Sequence, residues 1–385
     1  MLNPVRQLGN RLSQGWQAQG ALESLKAFGV ASKPWLRDGV AELLARVGAT
    51  TPARFARGAL TIVTFHRVLP ESELAEYPIA GLVVTPEQLE RILVELARHF
   101  ECGTVIESFR RWRAGGSARP LLGISFDDGA LDNYRHARPV LAELGLRASF
   151  YIPVSNVEER SPPWHDRLGF ALLRSIAAQR KLRGIDFERL LEPFGLGTQS
   201  FAAVLPVDAT RLAALGVVTA KRLGAAERER AIQALEAALG AGAVPEFAGM
   251  MSWDQVRALH GDGHEIGSHS LTHPLLPELS DERIALEVGA SRRELSRIIG
   301  APVSSFCYPN GSYDARTLRA VESAGYECAV TTRWGLNRQP TPFELSRCDM
   351  DYARLETRHG EFSRNRLMLR LSGLQPGLRE AAVSY

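Results

Sequence analysis

Cysteine is scarce: Cys102, Cys307, Cys328 and Cys348 are scattered through 385 residues without a CxxC pair. That spacing excludes a cysteine metal cluster or a disulfide framework and leaves free thiols as the simplest reading. No run of 18 apolar residues occurs, so no membrane-spanning helix is expected. An excess of one charge is missing too. The chain holds 46 Lys and Arg against 43 Asp and Glu, an average that gives no case for nucleic-acid binding. Also missing is a short basic region followed by a continuous apolar stretch at the start, so no signal peptide is expected and a cytoplasmic location is. What is present is an ordinary globular composition, long enough for one large core or two medium ones.

Charge is uneven. Residues 1–58 hold eight Lys or Arg and three Asp or Glu, interleaved with Trp16, Leu22, Leu25, Phe28, Trp35, Leu36, Leu43 and Leu44. This N-terminal helical segment has two readings. It is a helical cap packed on the main domain, or a basic amphipathic element making a peripheral contact with an anionic membrane surface.

From residue 59 onward, strands and helices alternate. Residues 60–65 read as a buried strand ending at His66. Thr85-Pro86-Glu87-Gln88 is a helix start, with Thr as N-cap, Pro at the first helical position and Gln three residues after the cap. Residues 120–126 and 148–154 read as strands around a helix closed by Gly145. That β-α-β unit implies parallel strands. Residues 156–250 break the rhythm and read as a helical insertion. Alternation then resumes, with strands expected at 264–268, 303–308 and 326–332, and helices at 253–260, 281–299 and 314–324. The expected organisation is an N-terminal segment (1–58), an α/β domain (59–350) and an Arg-rich tail (351–385).

Three short segments follow predicted strands, where β/α folds place their sites. In Ser125-Phe126-Asp127-Asp128-Gly129, one carboxylate suits a metal ion and leaves the other free as a base. Alternatively, Asp128 only caps the next helix. His269 and His273, at i and i+4, either reach one cation together or are unrelated histidines. With an Asp they complete a two-His, one-carboxylate set with positions open for water. Phe306 to Gly311 is an aromatic-Pro-x-Gly turn that either presents backbone N–H groups to a cleft or is only a turn.

In this order, these segments resemble the motifs of the NodB-homology polysaccharide deacetylases, carbohydrate esterase family 4. Ser125 to Gly129 stands for the first motif, His269 to His273 for the second, and Phe306 to Gly311 is a Phe-x-Tyr-Pro-x-Gly variant of the third. The resemblance implies a distorted (β/α)7-type barrel carrying a helical insertion. It implies Asp127 as general base, Asp128, His269 and His273 as ligands of one divalent metal, and Asn310 with Tyr308 on the oxyanion and substrate side. Zn²⁺ suits that donor set best, with Co²⁺, Ni²⁺ or Mn²⁺ as alternatives.

Two positions depart from the family pattern. Cys307 stands where an Arg commonly orients the catalytic Asp, so that partner is missing or comes from elsewhere. Arg347 stands where a late motif supplies a catalytic His, and a guanidinium cannot donate a proton near neutral pH. His66 is then the expected general acid, on the rim shared with Asp127 and His269, across the substrate position from Asp127. Asp166 and His359 are weaker candidates read as structural, and His264 reads as packing.

The implied function is metal-dependent removal of acetyl groups from N-acetylated sugars in cell-surface glycan biosynthesis. Its substrate would be a cytoplasmic, lipid-linked precursor at the inner face of the membrane. The alternatives are an amidase or deformylase acting on a small, nucleotide- or lipid-linked amide, and a carbohydrate-binding relative that has lost turnover.

Overall fold

The computed structural model describes residues 34–178, 209–239 and 244–375. Most of segment 1–58 and parts of the 156–250 insertion lie outside the described residues.

Eight parallel strands build the main sheet: β1 (Leu60–Phe65), β2 (Glu101–Gly103), β3 (Leu121–Phe126), β4 (Ser149–Ile152), β5 (Glu265–Ser268), β6 (Ser305–Cys307), β7 (Cys328–Val330) and β8 (Cys348–Asp349). The hydrogen-bonded path runs β8-β1-β3-β4-β5-β6-β7. β2 and β4 share one edge of β3: Cys102 pairs with Leu122 in its first half, and Ser149 with Ser125 in its second. The ends of the path approach each other through Leu345. Its carbonyl accepts from Thr331 N–H at 2.8 Å and its N–H donates to Ala329 O at 3.0 Å. Three residues later Cys348 pairs with Val63 of β1. The result is a distorted (β/α)7-type barrel, as expected.

β1 and β3 are buried along their whole length, which is why they read as continuous apolar runs rather than alternating ones. Phe65, Phe126 and Phe150 sit in register on neighbouring strands and stack at 5.2 and 5.1 Å between ring centroids. Helices cover the outside. They are α1 (Pro34–Arg46), α2 (Pro86–His99), α3 (Val105–Arg113), α4 (Arg138–Glu143), α5 (Trp164–Ala178), α6 (Ala209–Ala220), α7 (Ala225–Leu239), α8 (Trp253–Gly261), α9 (Asp281–Ile299), α10 (Ala315–Ser323) and α11 (Arg364–Ser372). Thr85 caps α2 in the expected reciprocal box with Gln88. Ser280 caps α9, and Gly300 ends it in the left-handed region at φ 68°.

α5, α6 and α7 pack around their own core of Leu168, Leu172, Val217, Ile232 and Leu235. A buried charge cluster fastens α5 to the barrel: Arg67 bonds Asp132 at 2.6 Å and Asp166 at 2.7 Å, and Tyr77 donates to Asp166. α1 packs against α11, with Asp38 and Arg366 paired at 3.2 Å, and leaves Trp35, Leu43 and Val47 exposed. Among the described residues no helix is long and apolar enough to cross a membrane.

Candidate active site

Parallel pairing brings the C-terminal ends of β1, β3, β5 and β6 to one rim. Asp127 and Asp128 follow β3, His269 follows β5, and Asn310 lies in the turn after β6. A cavity of about 490 Å³ opens there, lined by His66, Asp127, Asp128, His165, His269, His273, Tyr308 and Asn310 among others.

Backbone strain concentrates at this rim. Asp128, Ser270, His273 and Asn310 all have φ between 55° and 70°, and Arg160 is the one other described non-glycine residue with positive φ. Such conformations persist only where surrounding structure holds them, and they collect at functional sites. Gly311, at φ +66°, has to be glycine because a Cβ would run into Thr332.

Asp128, His269 and His273 form a triangle. Asp128 Oδ1 is 3.4 Å from His269 Nε2 and 3.2 Å from His273 Nε2, and the two nitrogens are 3.2 Å apart. Ligands about 2.0–2.1 Å from one divalent ion at near-tetrahedral angles lie roughly 3.3 Å from each other, so the donor set fits a metal. His269 Nδ1–H donates to Cys307 O at 2.7 Å, which turns Nε2 into the triangle as metal-binding histidines require. Burial pushes the pKa of His273 down to about 4 against the pull of Asp128, keeping the ring in its ligating form. For His269 burial opposes charge, but Cys307 and Asp128 outweigh it and raise the pKa. A cation in the triangle would displace that proton.

Asp127, Cys307 and His269 form a second convergent group, but a guanidinium already occupies it. Arg347 NH1 donates to Asp127 Oδ1 and NH2 to Oδ2, both at 2.7 Å. NH2 also lies 3.3 Å from Cys307 Sγ. A metal there would face a buried positive charge, so the Asp128 triangle is the better cation site. Burial opposes ionisation of Asp127, and Arg347 more than compensates, holding its pKa below the usual carboxylate range. Arg347 therefore supplies the orienting contact that Cys307 cannot.

His66 lines the cavity, but it is not across from Asp127 as expected. Its Nε2 is 3.8 Å from Asp127 Oδ2. The register explains this: Phe65 pairs with Phe126, so the next residue of each strand leaves the rim side by side. Burial lowers the His66 pKa, with Asp127 and Asp128 opposing only in part.

Tyr308 also lines the cavity, with its hydroxyl donating to Phe343 O at 3.1 Å. Asn310 Oδ1 accepts from Lys221 Nζ at 2.6 Å. His264 packs edge-on against Phe150 and accepts from Ala148 N–H. Asp166 is spent on Arg67 and Tyr77. His359 is exposed beside Arg358.

Three cavity residues were not legible as such in the sequence: Arg347, His165 and Lys221. His165 Nε2 sits 3.6 Å from Asp128 Oδ2. It and Lys221 come from the insertion, whose patterning reports only helices.

Residues 211–329 match the family model described as polysaccharide deacetylase. The chain carries a polysaccharide deacetylase domain. The matched stretch includes His269, His273 and the turn at Phe306 to Gly311, and Asp127 and Asp128 precede it. Over 82 residues the deacetylase chain is 29% identical to YxkH of Bacillus subtilis (strain 168), covering 21% of this chain and 29% of that protein. The match thus spans less than a third of that relative's length. Among solved structures, Streptococcus pyogenes deacetylase PplD in complex with acetate aligns at 16% identity and TM-score 0.49, covering 76% of this chain and 92% of that one. IcaB from Ammonifex degensii aligns at 17% identity and TM-score 0.47, covering 75% and 90%.

Proposed function

We propose that the protein is a metal-dependent N-deacetylase acting on an N-acetylated sugar of a surface-glycan precursor, on the cytoplasmic side of the membrane. The observation that carries this reading is the metal-compatible triangle of Asp128, His269 and His273 beside a carboxylate, Asp127, held by Arg347. The triangle would hold one divalent cation, Zn²⁺ by donor type or else Co²⁺, Ni²⁺ or Mn²⁺. When bound, such a cation polarises an amide carbonyl and lowers the pKa of water.

The chain's own residues supply the rest. Asp127, clamped at both oxygens and kept ionised, takes the proton of the attacking water. The Asn310 peptide N–H donates to the oxyanion. His66, neutral at rest because burial lowers its pKa, cannot donate first. It lies next to Asp127 and receives that proton, then passes it to the leaving amine. Tyr308 shapes the floor of the cavity with its ring, because its hydroxyl is engaged.

The second reading, an amidase or deformylase on a small or carrier-linked amide, is favoured by one observation. Ala214, Val217 and Lys221 of α6 line the cavity, a roof that a long polymer would have to pass. The binding-only reading rested on a missing orienting Arg, and Arg347 fills that place. Acetate or formate release from a panel of N-acylated sugars and glycans, with and without chelator, tests the proposal. Chelator-resistant release, or none from any substrate, would sink it.

A further inference from the structure

Resting on the deacetylase reading, we infer that the cavity takes a lipid-linked sugar and that its aliphatic aglycone lies along the wall formed by the insertion. One side of the cavity holds the polar reaction centre. The other is lined by Ile79, Leu82, Trp164, Ala214, Val217 and Val218. The polar lining side chains of α6, Thr210 and Lys221, stand at its two ends, and Lys221 is engaged with Asn310.

A sugar ring against that wall would lose water from several hydroxyls and find no partner for them. Nor is Trp164 a free stacking platform, because the Arg228 guanidinium already covers one face, 4.5 Å from the ring centroid. An alkyl chain has no such penalty and gains about fourfold in affinity per buried methylene. The wall begins at Trp164, next to His165 and the metal triangle. It ends at Val218, a large apolar side chain left 45% exposed. An occupant can therefore start at the reaction centre and leave the protein along an apolar path. That suits an aglycone continuing into a lipid phase better than an acyl group enclosed at the amide.

The test is calorimetric binding of β-glycosides of N-acetylglucosamine with methyl, butyl, hexyl and octyl aglycones to the full-length Asp127→Asn protein loaded with Zn²⁺. Affinity should climb about fourfold per methylene until the wall is covered. Ala214→Trp, which fills the wall, and Val218→Asp, at an exposed position, should each cut the octyl gain at least tenfold. Equal affinity across the series, or no binding by any member, overturns the inference. So does a gain seen only when the N-acyl group of the methyl glycoside is lengthened, or an octyl gain that survives both substitutions. The unsubstituted protein separates the two ideas. Chain-length-dependent binding without acetate release leaves the lipid wall standing and sinks the deacetylase reading. Acetate release without chain-length dependence does the reverse.

Discussion

Arg347 grips both carboxylate oxygens of Asp127, with each N···O distance 2.7 Å. The same guanidinium donates to Thr331 O, Thr64 Oγ1 and Ser125 Oγ, so its direction is set from three strands at once. A planar fork of this kind fits a carboxylate as a lysine ammonium does not.

Arg347→Lys should therefore lower kcat about 10- to 100-fold, the usual cost of losing an orienting contact, while leaving metal content unchanged. Arg347→Met leaves Asp127 charged and buried alone, at a cost of about 3–5 kcal/mol near neutral pH. The sign in acid follows from the pair. Asp127's pKa is lowered in the folded state, so the stability it contributes is complete above the ordinary carboxylate pKa. It is lost as pH falls through the lowered value. The gap between parent and Arg347→Met in denaturant titrations should narrow toward pH 3, and a gap that widens there would refute the account.

Asp127→Asn keeps the shape and removes the base. Turnover should drop by about 10²–10⁴, with one metal per chain still found by elemental analysis. Near-normal activity would reassign Asp127 as structural.

Removing the metal should abolish activity and lower the Tm, because a ligand bound only to the folded state stabilises it by mass action. His273→Ala opens the triangle and should lose the metal under dialysis conditions in which the parent retains it. Equal retention would move the site away from these residues.

His66→Ala should lower kcat by about 10²–10⁴ with little change in KM. The split matters, because a residue that only shapes the cleft would raise KM instead. Metal content should stay at the parent value.

Lys221 has its pKa brought down to about 8 by burial, with Arg228 adding to the shift. As pH rises through 8, the charge that pins Asn310 is lost. A fall in kcat/KM with a midpoint near that pH is expected. Lys221→Arg should move it out of the assay range. A profile flat to pH 9 in the parent would count against a role for this contact.

Much of the frame was legible in the sequence, because caps and periodicity are local. Thr85 with Gln88, Ser280 and Gly300 mark helix ends where the structure has them. β1 and β3 are apolar throughout because both faces are buried. β2 and β8 escaped notice because three and two residues carry no period. α11 escaped because its first turn begins Arg-Asn-Arg and its apolar face is short.

The sequence by itself determined which chemistry stands at which strand end: two carboxylates after β3, a histidine pair after β5, a glycine turn after β6. Only the tertiary structure decided who meets whom. His66 stands beside Asp127 because Phe65 and Phe126 share a register. Arg347 reaches Asp127 across 220 positions because Leu345 and β8 join β7 to β1. His165 and Lys221 enter the cavity because Arg67 ties α5 down and α6 packs on α5. Caps and periodicity are set by neighbours within a turn or two of chain, whereas these meetings depend on strand register and ring closure, which no local pattern encodes.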